Sequence, residues 1–413
     1  GDRRDLHSFP TRRSSDLLIE LYQSLAAQTV LPDEWIVLCN GEALDMANPF
    51  QAEWVKWHRT DTTGNIGALK GECCDLATGE ILVEVDYDDQ LTPDAIEKIK
   101  LAFSDPTVLF AYSNCVEYLP DGRSQVYGAQ YGWHSRPYYE QTQMIAFPPR
   151  AQYFRRIEWA PNHVRAFRKS AYNQIGGYDR TLAVGDDHDL VCRFYIEFGQ
   201  SGFKHIDECL YRYRVHEGNT SNGRNRNREV QQQVDRNYCR HAEKMYLRWA
   251  NDNGLDCFDL GGRFNCPHGY KSVDLLDADL TFDLTGTWPL ETDSVGVLRA
   301  YHVLEHLPDT IHFFNEAFRV LAPGGVLLIE VPSTNGAGAF SDPTHVRFFN
   351  TLSFEYFTNQ QYARFIQPQY TGRFQAARVV EYWWNNPKIP VVSAQLIALK
   401  GWYAQRWAGV KQI

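Results

Sequence analysis

Residues 65–89 read NIGALKGECCDLATGEILVEVDYDD, and this stretch decides the fold. Its centre, residues 81–85, is a short apolar run between a glycine and a group of acidic residues, which predicts a buried β-strand. The strand is followed by three aspartates, Asp86, Asp88 and Asp89. Because crowded carboxylates repel one another and lose hydration, a bound cation would relieve both costs. The alternative is a solvated acidic turn in front of the helix that starts near residue 92.

The composition is that of an acidic globular protein. The chain has 413 residues, enough for two or three domains, and its net charge of −10 argues against a nucleic-acid partner bound through bulk electrostatics. No apolar run reaches the roughly 18 to 20 residues that cross a bilayer, and no secretory signal is visible. The nine cysteines lack Cys-x-x-Cys spacing, which favours reduced thiols. These features predict a cytoplasmic protein.

The first 17 residues differ in character from the rest of the chain. They are charged, rich in Ser and Arg, and resemble the conceptual translation of a sequencing adapter, so we expect residues 1–17 to be foreign to the first domain. The alternative is a native disordered arm. Helix-like and strand-like segments then alternate, which predicts an α/β domain with a mostly parallel, doubly wound sheet. A strand usually precedes the first helix of such a sheet, and we expect that strand to be missing here.

Residues 18–222 resemble a family 2 glycosyltransferase of the GT-A fold. Several motifs carry the resemblance in the same chain order, namely residues 24–29 (SLAAQT), 65–67 (NIG), 86–93 (DYDDQLTP), 176–179 (GGYD), 186–190 (DDHDL) and 211–216 (YRYRVH). The resemblance implies that Asp86, Asp88 and His216 bind Mg²⁺ or Mn²⁺. It also implies that Asp187, paired with Asp186, is the general base that deprotonates an acceptor hydroxyl.

The same resemblance implies a nucleoside-diphosphate sugar as donor and a glycan or lipid-linked acceptor. Donor contacts are expected from Asn40, Asn65, Lys70 and Asp86, with Asn40 near a pyrimidine base such as that of a UDP-sugar. With its first strand missing, the chain as written is expected to bind donor weakly. Three aromatic residues in the stretch 118–158 are sugar-stacking candidates, although packing of a long loop explains them equally well: Trp133, Tyr138 and Tyr139.

Residues 223–253 are predicted to form a helical linker to a second, compact Rossmann-like domain over residues 254–365. This domain resembles a class I S-adenosylmethionine-dependent methyltransferase through residues 302–307 (HVLEHL), a Pro-Gly-Gly turn at 323–325 and residues 342–345 (DPTH). The resemblance implies that Gly261, Asp274 and Asp283 contact S-adenosylmethionine. Only 13 positions separate Gly261 from Asp274, too few for a full crossover helix, so we expect a shortened connection.

Two segments of the second half allow alternative interpretations. Residues 302–306 also fit the His-x-x-Glu-His pattern of inverted zinc proteases, but the flanking strand and Pro-Gly-Gly turn favour a methyltransferase helix opening at His302. In the C-terminal extension, residues 366–413, the stretch from residue 390 is predicted to be an amphipathic helix. That helix either packs on its own domain or rests on the inner face of a membrane.

The sequence therefore predicts an inverting, metal-dependent glycosyltransferase fused to a methyltransferase-like domain. Two alternatives stay open. One is a bifunctional enzyme that glycosylates and then methylates. The other is a non-catalytic sugar-binding module with an incomplete donor site.

Overall fold

The structure is a computed structural model that describes residues 12–41, 48–128, 133–154, 163–220, 226–383 and 389–401. The chain divides into two compact units, residues 1–242 and 243–413. Residues 1–11 of the segment expected to be foreign lie outside the described part. The remainder of that segment belongs to the first helix, Arg12–Ala26.

The first unit has α/β architecture, as the sequence predicts. Its helices are α1 (Arg12–Ala26), α2 (Ile66–Leu76), α3 (Ala95–Ala102), α4 (Lys169–Gln174) and α5 (Asp186–Phe198), with α6 (Asn227–Asp252) at its end. Its strands are β1 (Trp35–Cys39), β2 (Val55–Arg59), β3 (Ile81–Glu84), β4 (Gln90–Leu91), β5 (Phe110–Tyr118), β6 (His134–Tyr138), β7 (Gln141–Ile145), β8 (Arg165–Arg168) and β9 (Phe203–Arg214).

The strand pairing of this unit is mixed rather than mostly parallel. Strands β1 and β2 form a parallel pair of their own, and the other seven strands form one sheet. Within that sheet β5 pairs β9 in parallel, whereas β3 with β8, β4 with β9, and β5 with β7 and β8 are antiparallel. The expectation of a mostly parallel sheet is wrong here, because β8 runs antiparallel between β3 and β5, and β4 and β7 are antiparallel to the strands they pair with.

Two antiparallel registers determine which side chains meet at the strand ends. In the β3–β8 pair, Glu84 lies opposite Arg165. In the β4–β9 pair, Gln90 lies opposite Arg212, so the acidic turn before β4 continues toward the residues that follow Arg212. Both meeting points depend on partners far apart in the chain, which local sequence patterns do not reveal.

Apolar residues at helical spacing tie α1 and α3 to the sheet. Leu21 and Leu25 of α1 share a core with Ile96 and Ile99 of α3 and with Leu91 of β4. Helix α2 begins at a cap in which Ala68 N donates to Asn65 Oδ1 at 2.9 Å. This end of α2 lies close to the start of α5, where Gly67 N donates to the carbonyl oxygen of Leu182 at 3.0 Å.

The second unit is a seven-stranded sheet with helices and turns packed on it. Its strands are β10 (Asp256–Leu260), β11 (Lys271–Asp274), β12 (Leu280–Thr281), β13 (Val295–Tyr301), β14 (Leu321–Pro332), β15 (Phe374–Trp383) and β16 (Pro390–Ala398). Its helices are α7 (Thr310–Val320), α8 (Gly338–Ser341), α9 (Glu355–Thr358) and α10 (Gln360–Ala363). The strand order is β12-β11-β10-β13-β14-β16-β15, and β16 is antiparallel to both of its neighbours.

This strand order places a switch point between β10 and β13, because β11 and β12 extend the sheet to one side and β14 extends it to the other. Ligands of such sheets bind at the carboxyl ends of the strands flanking the switch point. The connection from β10 to β11, residues 261–270, contains no helix, in agreement with the expected short crossover. Trp288, in the connection from β12 to β13, is 2% exposed and packs in the core of this unit.

The tail of the chain differs from the prediction. Residues 390–398 form the buried strand β16 rather than an amphipathic helix, and the apolar side chains Val391, Val392 and Leu396 are fully buried against the sheet. The strands β15 and β16 are therefore part of the second unit's sheet, not an extension outside it. The end of the tail, residues 402–413, lies outside the described part.

Helix α6 contributes to both units. Residues up to 242 belong to the first unit, where Asn237 Nδ2 donates to the carbonyl oxygen of Gly185 at 2.7 Å. From residue 243 the helix belongs to the second unit, where the Tyr270 hydroxyl donates to Glu243 Oε1 at 2.8 Å. The predicted helical linker is thus a helix with buried faces: Tyr238 and Tyr246 are both fully buried. Within the described ranges, no helix combines the length and the apolar character needed to cross a bilayer.

We expect Gly67→Ala to destabilise the first unit. A Cβ at this position would lie 2.4 Å from the carbonyl oxygen of Asp179 and 2.9 Å from that of Leu182, so backbone must move. Such overpacking costs about 1–3 kcal/mol, more than alanine gains in helix propensity. The measurement is the thermal unfolding midpoint. The control is Gly79→Ala, whose Cβ would meet its nearest neighbour at 3.5 Å. Equal midpoints for both variants would contradict the close packing of α2.

Candidate active site

The acidic turn after β3 is held by the end of β9. The hydroxyl of Tyr211 donates to Asp89 Oδ2 at 2.8 Å, and Arg214 N donates to Asp89 Oδ1 at 2.7 Å. Asp89 is therefore fully engaged within the protein and only 1% exposed. Its role is to fix the turn, which leaves Asp86 and Asp88 as the carboxylates of the candidate site.

Asp88 and His216 lie in direct contact. His216 Nε2 is 2.8 Å from Asp88 Oδ2, although 128 positions separate the two residues. Gly218 N donates to His216 Nδ1 at 3.0 Å, and because a backbone N–H can only donate, Nδ1 must accept. In the neutral ring the proton therefore lies on Nε2 and is donated to Asp88. Coordination of a metal through Nε2 would require this proton to move to Nδ1, with loss of the hydrogen bond from Gly218.

The three predicted metal ligands do not form a closed cage. In the described ranges, Asp86, Asp88 and His216 are not a group whose donor atoms all lie within 4.8 Å of one another. Their chemistry nevertheless suits a hard cation. Burial and the nearby carboxylates of Glu84 and Asp88, against the opposing effect of Lys70, raise the pKa of Asp86 to about 6. Burial and the two neighbouring carboxylates thus disfavour the charged form of Asp86, and a bound cation would favour it.

A buried network of charges lies directly behind this turn. Arg165 donates from Nη2 to Glu84 Oε1 at 2.9 Å and from Nη1 to Asp187 Oδ2 at 2.8 Å. Lys70 also contacts Glu84, and its Nζ lies 3.6 Å from Asp186 Oδ2. The structure thus brings together three of the predicted site residues, Lys70, Asp186 and Asp187, through two residues that the prediction did not include, Glu84 and Arg165.

The two aspartates at the start of α5 differ in protonation. Burial, together with the adjacent Asp187 carboxylate and despite Lys70, raises the pKa of Asp186 to about 7. Burial also acts on Asp187, but Arg165 and Lys70 outweigh it and hold the pKa of that carboxyl below its usual value. Asp187 is therefore ionised at neutral pH. Its side chain is 31% exposed, whereas that of Asp186 is 4% exposed.

Glu84, Arg165 and Tyr178 are site residues that sequence reasoning missed. Tyr178 belongs to the GGYD motif, and its hydroxyl donates to Glu84 Oε2 at 2.6 Å. The signal for Glu84 was present, because it is the one charged residue inside the apolar run 81–85. Arg165 carries no local signal, since its position depends on the pairing of β8 with β3.

The remaining predicted donor contacts lie apart from this network. Asn40 follows β1, and its Nδ2 donates to the carbonyl oxygen of Thr62 at 3.2 Å. Asn65 caps α2, and its Nδ2 donates to the carbonyl oxygen of Arg180 at 2.8 Å. Both side chains are engaged within the protein, so their donor-binding roles stay predictions.

The three aromatic candidates for sugar stacking differ in exposure. Trp133 is 6% exposed and packs edge-on against Phe147 at a centroid distance of 4.5 Å, so it is a core residue. Tyr139 is 92% exposed. Together with Tyr138, Gln90 and other residues it lines an open groove of about 1060 Å³. The two tyrosines are therefore the residues available to a sugar.

In the second unit, one predicted cofactor residue lies at the switch point and a second lies at the end of the neighbouring strand β11. Gly261 follows β10 with φ +75°, and a Cβ there would meet Val303 Cγ2 at 2.7 Å. This conformation and close approach favour glycine. Asp274 is the last residue of β11, and its Oδ1 accepts from Leu275 N at 2.7 Å. Asp283 lies in an exposed turn, where its Oδ1 accepts from Thr285 N at 2.8 Å.

The segment after β13 is not the helix that the sequence predicts. His302 has φ 57°, and the only helical turn before α7 in this described segment is a 3₁₀ turn over Leu304–His306. The ring of His302 lies between Glu305 and Glu330, with nitrogen–oxygen distances of 3.3 Å to each. These two carboxylates raise the pKa of His302 to about 9. His302 and His306 are therefore not the helical pair of a protease-type zinc site.

Two family models match the chain. The model described as "Glycosyl transferase family 2" matches residues 9–176, and the model described as "Methyltransferase domain" matches residues 267–329. The chain joins a family 2 glycosyltransferase domain to a methyltransferase domain. The two resemblances read from the motifs are thereby confirmed, and so is the α/β fold class of both domains. The specific site residues stay predictions.

Curated relatives match parts of the chain. A protein named a probable S-adenosylmethionine-dependent methyltransferase from Mycolicibacterium smegmatis is 41% identical over 85 residues, 20% of this chain and 31% of that protein. A chondroitin synthase from Pasteurella multocida is 26% identical over 160 residues, 38% of this chain and 14% of that protein. The chain thus spans less than a third of either relative.

Solved structures of TarS from S. aureus also match. In the complex of TarS 1–349 with UDP-GlcNAc the TM-score is 0.41 at 15% identity, and the match covers 59% of this chain and 69% of that one. A likeness at this level carries no conclusion about the site.

We expect Glu84→Gln to destabilise the glycosyltransferase domain strongly. The side chain is 9% exposed, and removing its charge leaves Arg165 and Lys70 partly uncompensated, which costs about 3 kcal/mol. The control is Glu80→Gln, whose 76% exposed side chain pairs with Arg168 and contributes little. Thermal unfolding at pH 7 compares the two variants.

The stabilisation by Glu84 should also depend on pH, and the same two variants measure this dependence. Although burial opposes ionisation, Arg165 and Lys70 hold the pKa of Glu84 far below its ordinary value of 4.5. The stabilisation by Glu84 is therefore fully present above about pH 4.5 and is lost as the pH falls below that value. The difference in melting temperature between wild type and Glu84→Gln should shrink on acidification. A difference that stays constant from pH 7 to pH 3 would contradict this assignment.

Proposed function

We propose that the first domain is an inverting, metal-dependent glycosyltransferase that uses a nucleoside-diphosphate sugar, with a UDP-sugar as the preferred donor. The observation that carries the proposal is the contact of Asp88 with His216 at the end of the acidic strand, within a domain that matches glycosyl transferase family 2. Matched relatives are named as synthases of chondroitin and hyaluronan, which supports a glycan as acceptor.

The residues around the turn suit the binding of a donor diphosphate. Asp86, Asp88 and His216 would hold Mg²⁺ or Mn²⁺ with His216 in the tautomer that carries its proton on Nδ1 and leaves Nε2 free for the ion. When bound, such a cation neutralises the charge that develops on the leaving diphosphate. Lys70 is committed to Glu84 and Asp186, so its contribution to the donor site is to balance these carboxylates.

Asp187 is the proposed general base. Arg165 and the backbone N–H of His188 each bind one of its oxygens, at 2.8 Å in both cases, which fixes the carboxylate in one orientation. Because its pKa is lowered, it is ionised at neutral pH, as a proton acceptor must be. It takes the proton of the acceptor hydroxyl while that oxygen attacks the anomeric carbon. Asp186, buried behind it, positions Lys70.

We expect Asp187→Asn to abolish sugar transfer while donor binding is retained. Loss of a general base lowers the rate by a factor of roughly 10² to 10⁴, and asparagine keeps the hydrogen bonds to the backbone. Transfer is measured as nucleoside diphosphate release from a panel of nucleotide-sugars with Mn²⁺, and binding is measured by calorimetry. The control is Asp179→Asn, a neighbouring aspartate that bonds Thr181 locally.

His216→Ala provides the second arm of this experiment. It should weaken donor binding in the presence of Mn²⁺ and leave metal-free binding unchanged. Donor binding without turnover in the wild type would favour the non-catalytic module. Turnover that survives in Asp187→Asn would remove that residue from the mechanism.

A second candidate function is methyl transfer by the second domain. Two observations favour it: the family match over residues 267–329, and the position of Gly261 at the switch point of the sheet. Gly261 would let the ligand approach the backbone closely, and Asp274 would accept hydrogen bonds from the ribose hydroxyls of S-adenosylmethionine.

We expect the full chain to bind S-adenosylmethionine and Asp274→Ala to weaken that binding about tenfold or more. The reason is the loss of a charged acceptor for two hydroxyls. Calorimetry with S-adenosylmethionine measures the effect, and Asp277→Ala, an exposed aspartate three positions away that pairs with Arg263, is the control. Absence of binding by the wild type would leave the glycosyltransferase as the one catalytic domain.

A further inference from the structure

The methyltransferase domain contains a second cluster of metal-binding side chains, which the methyl-transfer proposal does not use. One carboxylate oxygen of Glu305 and one ring nitrogen each of His306 and His345 all lie within 4.8 Å of one another. Among the described residues, no other group of three His, Cys, Asp or Glu side chains has its ligand atoms this close together. It lies just after β13, at the carboxyl end of a strand flanking the switch point.

Glu305 is the buried member of the cluster. It is 2% exposed, and neither of its carboxylate oxygens takes part in a hydrogen bond with the described residues. A charged neighbour is His302, whose Nδ1 lies 3.3 Å from Oε1. His302 is also 3.3 Å from Glu330, so this one cation is shared between two carboxylates. A buried carboxylate with a shared counter-charge gains further stabilisation from a bound metal ion.

Hydrogen bonds fix the tautomers of both histidines. His345 Nδ1 is 2.9 Å from the carbonyl oxygen of Ala339, and since a carbonyl only accepts, Nδ1 carries the proton. His306 Nδ1 is 3.0 Å from Thr344 Oγ1, whose own proton is donated to Asp342 Oδ1 at 2.6 Å. Nδ1 of His306 is therefore also the donor. In both rings the lone pair remains on Nε2.

This arrangement is the one that metal-ligating histidines show, with one nitrogen donating to a carbonyl or hydroxyl and the other binding the ion. The supporting loop is also held in place. The backbone N–H groups of Val346 and Arg347 donate to the carbonyl oxygen of Glu305 at 2.8 Å and 3.0 Å. The loop that carries His345 is thus attached directly to the residue that supplies the carboxylate.

We propose that Glu305, His306 and His345 form a binding site for a divalent transition-metal ion, with Zn²⁺ as the ion that fits best. Two imidazoles and one carboxylate are a ligand set of catalytic zinc sites, in which a fourth position stays open to water or a substrate oxygen. His306 is exposed, so solvent reaches the cluster. The ligand expected there is an oxygen donor such as water, a hydroxyl or a carboxylate.

This site differs from a protease-type motif and from the site in the glycosyltransferase domain. Its second histidine is His345, brought in by a loop 39 positions beyond His306, rather than His302. In the other domain His216 Nδ1 accepts a hydrogen bond, so its Nε2 carries the proton. The two sites are therefore distinguishable by mutation.

The test uses the full chain, freed of metal by chelator and titrated with Zn²⁺ by calorimetry, with Co²⁺ absorption as an independent readout of coordination. We expect one tight equivalent in the wild type. It should persist in His216→Ala and in the surface control His312→Ala. It should weaken at least tenfold in His306→Ala and in His345→Ala.

Thr344→Val provides a variant that leaves all three ligands intact. Loss of its hydroxyl removes the partner of His306 Nδ1 and should weaken Zn²⁺ binding by roughly 10- to 100-fold. Thermal unfolding without metal verifies that each variant is folded. No tight equivalent in the wild type would overturn the proposal. So would binding that is unchanged in both His306→Ala and His345→Ala, or binding that disappears in His216→Ala.

Discussion

The cross-strand pair of Glu84 with Arg165 is the interaction on which the glycosyltransferase domain depends. It joins β3 to β8 at the point where the acidic turn begins, and Arg165 extends from there to Asp187. One guanidinium thus positions the proposed base relative to the strand that carries the proposed metal ligands. Because the pair is buried, neither charge can be removed without leaving the other uncompensated. The geometry of the site and the stability of the sheet therefore depend on the same ion pair.

In the two histidine-containing sites, the hydrogen bond made by Nδ1 determines whether Nε2 of the imidazole carries a proton. His216 accepts at Nδ1 and donates at Nε2, so in this tautomer it serves as a hydrogen-bond donor to Asp88. His306 and His345 donate at Nδ1 and keep Nε2 unprotonated. The same residue type is therefore prepared for different tasks in the two domains. The difference comes from a backbone N–H in one case and from a carbonyl and a hydroxyl in the other.

Much of the fold can be predicted from local pattern, and the part that cannot has physical reasons. The apolar run 81–85 predicts a strand, and residues 81–84 form one. The flanking strand and the Pro-Gly-Gly turn favour a methyltransferase helix opening at His302, but His302 adopts a left-handed conformation and β13 ends in a turn. The tail has apolar residues that fit a helix as well as a strand. Pairing with β14 and β15 decides in favour of a strand, and no local pattern contains that pairing.

Part of the candidate site could likewise be predicted from the sequence, and part could not. The approach of Asp88 to His216 was predictable because the motifs around both residues occur in the expected order. The partners of Asp187 were not, since Arg165 reaches it through strand pairing and Glu84 lies 81 positions away from Arg165. Cutting the chain to obtain either domain alone meets a further obstacle, because α6 carries the fully buried Tyr238 in the part that belongs to the first unit and the fully buried Tyr246 in the part that belongs to the second. A truncation at residue 222 or at residue 253 removes packed tyrosines from one of the two fragments. Expression of separate halves will therefore succeed best when both fragments retain the whole helix. In each fragment, the helix residues that belong to the other unit in the full chain would then be exposed to solvent.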